Sequence, residues 1–125
     1  MPIIAVAAAV AAAAIHVWFF VLESLTFARP TVWARFGLRS AEAAEAVRPM
    51  AFNQGFYNLF LATGAVGGLL LVASGHELAG RAIVLFACAC MLGAGIVLGA
   101  SNRRLAAAAL QAVPPLIAIV AAFAF

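Results

Sequence analysis

Four apolar runs, at about 3–28, 50–74, 79–99 and 105–125, take up most of this chain. Roughly 20 consecutive apolar residues carry a helix across a bilayer. Each run is long enough. Soluble domains are nearer half apolar and a quarter charged; this sequence is 68% hydrophobic and 9% charged. A soluble core cannot absorb that much apolar surface, so the remainder must face lipid. The expected architecture is all-α: an integral membrane bundle of four transmembrane helices, forming one domain over residues 1–125, with a short interfacial helix between helices one and two. No basic stretch precedes the first run, which also continues too far for a signal peptide, so it is read as a membrane helix.

The seven cations are all Arg and the four acids all Glu, for a net charge of +3. The basic balance is read as topology and not as a nucleic-acid surface. The first connection holds Arg29, Arg35, Arg39 and Arg48, and the third holds Arg103 and Arg104. The second holds only Arg81. The positive-inside rule then puts loops one and three in the cytoplasm and both termini outside, in the cell (inner) membrane.

Polar groups inside such runs are expensive, usually paired and often functional. Helix one carries His16 and, seven residues later, Glu23. Seven residues is close to two turns, which puts both on one face about 10 Å apart along the axis. Helix two opens with Asn53-Gln54-Gly55-Phe56-Tyr57-Asn58, and helix four carries Gln111 ahead of Pro114-Pro115. Counted from the cytoplasmic ends, Glu23, the Asn53–Asn58 cluster and Gln111 fall at one level. Asn102 sits at its mouth, and His16 lies deeper. A carboxylate in hydrocarbon must hold a proton or find a donor, and either state suits proton chemistry. Glu23 and His16 are therefore the candidate catalytic residues. Asn53, Gln54, Tyr57, Asn58 and Gln111 are the candidate ligand contacts. Buried amides can equally serve as glue between helices, and that packing role stands beside the functional one.

Several features are read structurally. Cys88 and Cys90, two apart, point to opposite sides of a helix and serve as small packing residues. Gly64 and Gly68, and again Gly95 and Gly99, have the spacing that lets helices approach closely. Ser40 is placed to cap a short helix through Val47, with Pro49 starting the next one. Trp33, Phe36 and Leu38 are expected in the headgroup region. No dinucleotide fingerprint, phosphate loop or zinc-protease motif is present. One His and one Glu do not make a metal site, so neither cofactor nor metal is expected.

The order His16, Glu23, Phe36-Gly37, Arg48, then Asn53-Gln54-Gly55-Phe56-Tyr57-Asn58-Leu59-Phe60-Leu61-Ala62, with Gln111 and Pro114 in the last helix, resembles the small membrane proteins catalogued as domain of unknown function 1304. The resemblance covers nearly the whole chain. It implies four transmembrane helices and no established activity.

Three functions fit these residues. The first is a site for a hydrophobic or lipid-like small molecule, with isomerase-like proton transfer at Glu23; by architecture alone this is similar to the emopamil-binding and sterol-isomerase proteins. The second is a small proton-coupled multidrug exporter, which also carries one Glu in its first helix; the strong Arg bias and the polar layer on helix two depart from that pattern. The third is a structural or assembly subunit with no ligand. Nucleic acid is not an expected partner, and self-association into a homo-oligomer is compatible with all three.

Overall fold

The computed structural model describes residues 1–124, and the described residues contain helices and no strand. Helix α1 spans Ile3–Phe20 and continues as one wide π turn over Val21–Leu25. A short α2 (Pro30–Trp33) and a 3₁₀ turn (Ala34–Phe36) follow. Then come α3 (Ala41–Ala73), α4 (Glu77–Asn102) and α5 (Leu105–Ala124). Four segments are long and apolar enough to cross a membrane: Ile3–Leu25, Ala41–Ala73, Glu77–Asn102 and Leu105–Ala124. Large apolar side chains such as Leu70, Phe86, Val97 and Phe123 point outward. That is the arrangement of a multi-pass membrane protein, whose helices meet lipid over much of their surface.

A short helix does lie between the first two long ones, at Pro30–Trp33, ahead of the stretch from Ser40 to Val47 where it was expected. Ser40 does cap the helix that follows it, accepting from the Ala43 N–H at 3.1 Å. That helix does not stop at Val47. It runs through Pro49 into the membrane segment as a single α3. A proline costs its helix one backbone hydrogen bond, here to the Glu45 carbonyl, and the Ala-rich turns before it, Ala41 to Ala46, favour helix strongly enough to continue. Helix α4 begins at Glu77, ahead of the apolar run expected from about 79. The last helix runs through Pro114 and Pro115.

Packing divides the described residues into two units. The first comprises residues 1–16 and 61–124. Within it, α1 buries a stripe of alanines, Ala5, Ala9, Ala12 and Ala13, that ends at His16. Spacings of three and four keep these on one face. The stripe meets other small residues in three successive clusters. Ala12 and Ala13 pack with Ala62, Ala65, Ala87 and Met91. Ala9 packs with Val84, Cys88 and Ala118, and Ala5 with Ala121 and Ala122. Cys88 is buried and Cys90 half-buried, both as free thiols.

With so little side-chain volume, backbones come close. A methyl on Gly95 would lie 2.8 Å from the Ala112 Cβ and 3.1 Å from the Ala108 carbonyl. At Gly68 it would lie 2.8 Å from the Gly80 carbonyl. The glycine spacings thus do set helix approach, α3 to α4 at Gly68 and α4 to α5 at Gly95 and Gly99. In the same unit, Arg81 donates to the Ala122 carbonyl and lies over the Phe123 ring. A charge within an apolar helix is thereby given a carbonyl at the far end of its neighbour.

The second unit is residues 17–60. Its core is Phe27, Ala44 and Ala51, with Trp33, Phe36 and Leu38 packed against them. The aromatic residues of the first connection are therefore partly inside, with Phe36 against Phe27 at 5.4 Å between ring centres. Gly37 turns the chain at φ +80, a conformation glycine adopts without a Cβ clash.

Candidate functional site

The site forms within the second unit, where the π turn lies along the first half of α3. One helix face decides it. Ala51, Gly55 and Asn58 are buried, at spacings of four and three. Asn53, Gln54 and Tyr57, from the same polar cluster, point outward. The small residues let the π turn approach. A methyl at Gly55 would collide with the Ser24 hydroxyl oxygen and come within 3.1 Å of the Glu23 Cβ. Ser24 Oγ uses that closeness to donate to the Phe52 carbonyl at 2.8 Å.

Glu23 lies on the π turn itself. In a π turn backbone bonds close over five residues, and the Thr26 N–H reaches the Val21 carbonyl at 3.0 Å. The Thr26 hydroxyl donates to the same oxygen at 3.1 Å. Such wide turns occur often at functional sites. Asn58 Nδ2 donates to Glu23 Oε2 at 2.7 Å, and Asn58 is 3% exposed. The half-buried Glu23 also lines a cleft of about 440 Å³ with Ser24, Leu25, Phe27, Arg48 and Phe52. Ala28 and Pro49 complete the wall. Among the described residues no cation pairs with Glu23. Arg48 pairs with Glu45 at 3.2 Å on the exposed flank of α3.

Phe52, which lines the cleft, heads a row of aromatic rings on α3. Phe52, Phe56 and Phe60 follow each other along α3, at 5.0 and 6.2 Å between ring centres. Phe20 meets Phe56 edge-on at 5.1 Å. A carboxylate held by one neutral donor, beside an apolar cleft, can hold a proton or take a positive group.

Of the residues expected at a site, Glu23 and Asn58 are brought together. Asn53, Gln54 and Tyr57 lie on the outer face of α3. His16 and Gln111 belong to the first unit, where both are buried. His16 Nδ1 donates to the Ala12 carbonyl at 2.8 Å, so its Nδ1 carries hydrogen. The α-helical period that aligned His16 with Glu23 ends at Phe20, where the π turn begins. Ser24, Arg48 and Phe52 were not anticipated at the site. Ser24 could have been inferred from its neighbour Glu23 together with the need for a glycine at position 55.

No curated protein and no solved structure matches the chain. A family model does match, over residues 10–123, a span that contains every residue of the cleft. Its description is Protein of unknown function (DUF1304), and by that match this chain, with its four helices apolar enough to cross a membrane, belongs to that family.

Proposed function

We propose that the protein binds a hydrophobic or lipid-like small molecule at the cleft beside Glu23. The observation that carries this is Glu23 itself: its carboxylate is held by the buried Asn58 with no cation paired to it among the described residues, and the residue lines a mostly apolar cleft. A carboxylate used only as glue would spend both oxygens on neighbouring helices; here Oε2 accepts from Asn58 of α3. The ligand enters sideways from the lipid, and Glu23 supplies the polar or proton-exchanging contact, as general acid or base if the molecule is converted. In this reading the outward Asn53, Gln54 and Tyr57 meet headgroups or a second copy of the chain. The cytoplasmic side is that of loops one and three, in the inner membrane, with both termini outside.

Native mass spectrometry of gently purified protein, followed by lipid extraction, tests the reading. A defined apolar molecule should accompany the wild type and be absent from Glu23→Gln. Its conversion by wild type alone would add isomerase-like chemistry to binding. No molecule on either protein would overturn the ligand site and favour a subunit role, or a proton-coupled exporter if vesicles show Glu23-dependent uptake.

A further inference from the structure

The cleft holds two opposite charges that do not satisfy each other. Glu23 receives a single neutral N–H, from Asn58. Arg48 contributes to the same wall, and its nearest acid is the exposed Glu45. Around them the wall is apolar: Leu25, Phe27, Ala28, Pro49 and Phe52. A neutral sterol-like molecule would add nothing to the single amide on Glu23 or to the exposed Glu45 pair of Arg48. A simple cationic drug would satisfy Glu23 and be repelled by Arg48. A head bearing both signs satisfies both.

Resting on the ligand-site reading above, we propose that the cleft takes a zwitterionic amphiphile, its ammonium on the Glu23 carboxylate and its phosphate on the Arg48 guanidinium. Ammonium–carboxylate and guanidinium–phosphate contacts are charge-assisted and strong for their size. The acyl part leaves across Leu25 and Phe52, both exposed. Arg48 is the last charged residue of α3 before the apolar stretch, the level at which phospholipid headgroups lie.

The test uses full-length protein in nanodiscs of equal phosphatidylethanolamine and phosphatidylglycerol. The protein is released into detergent, and retained lipid is counted by native mass spectrometry. Wild type should keep phosphatidylethanolamine over phosphatidylglycerol by about tenfold; Glu23→Gln should bring the ratio near one, and Arg48→Gln should lower the retention of both lipids. The glutamine can still accept from Asn58, and Arg48 is exposed, so at least one variant should remain folded. Equal retention by wild type, a preference that survives Glu23→Gln, or retention unchanged by Arg48→Gln would overturn the proposal. Retention of a neutral apolar molecule, lost in Glu23→Gln, would overturn the zwitterion and leave the ligand site standing. No retained molecule would overturn both. Release of the lipid by soluble phosphoethanolamine at equal concentration would overturn the amphiphile in favour of a free headgroup.

Discussion

Asn58 donates to Glu23 across 35 positions of sequence, tying the π turn at the end of α1 to the middle of α3. The bond joins a buried amide to a half-buried carboxylate, where water is a poor substitute for either partner. Asn58→Ala should therefore lower stability by about 1–3 kcal/mol, the cost of leaving a buried polar group without its partner. Asn58→Asp should cost more near neutral pH than in acid, because two carboxylates would then face each other and one must hold a proton. Unfolding in mild detergent, followed by circular dichroism at two pH values, measures both.

Gly55 is where the two segments touch. Gly55→Ala should cost about 1–3 kcal/mol, because the added methyl overlaps the Ser24 hydroxyl. Gly67, where an added methyl would meet nothing within 4 Å, provides the contrast. Gly67→Ala should be neutral or stabilising by up to about 1 kcal/mol, since alanine favours helix over glycine. The same thermal measurement separates the two, and equal effects would remove the close approach from the account.

Gly95 sets the distance between α4 and α5. Gly95→Leu should disrupt this crossing far more than Gly93→Leu, since a Cβ at 93 meets nothing within 4 Å. Protease sensitivity of the α4–α5 connection, including Arg103 and Arg104, reads the difference.

Much of the fold is legible in the sequence because a bilayer leaves so few solutions. Runs of the right length had to be helices, and the glycine spacings marked where they approach. The boundaries at Pro49 and Glu77 were less legible. Helix propensity before Pro49 outweighs one lost backbone bond, and no local signal reports that balance. The site was partly legible. Glu23 stood out as a lone acid in an apolar run, and the polar cluster stood out on helix two. Which of its residues turn inward depends on where Ala51 and Gly55 admit the π turn. A π turn leaves no periodic mark in a segment that is apolar on every side, so the alignment of His16 with Glu23 rested on an α-helical period that stops at Phe20.

Orientation is testable through the arginines. Reporter fusions after Ser40 and after Asn102 should report the cytoplasm, and one after Ser74 the opposite side. Moving two arginines from the first connection into the second should weaken that preference. An unchanged pattern would show that the Arg bias does not set the topology.

The most direct test of the cleft is photocrosslinking with a phosphatidylethanolamine that carries a diazirine near its headgroup, followed by peptide mapping. The account predicts labelling concentrated at 25–28 and 49–52, and its loss in Glu23→Gln. Labelling spread over the outward residues Leu70, Phe86 and Phe123 to the same extent, unchanged by the substitution, would contradict a ligand site at Glu23.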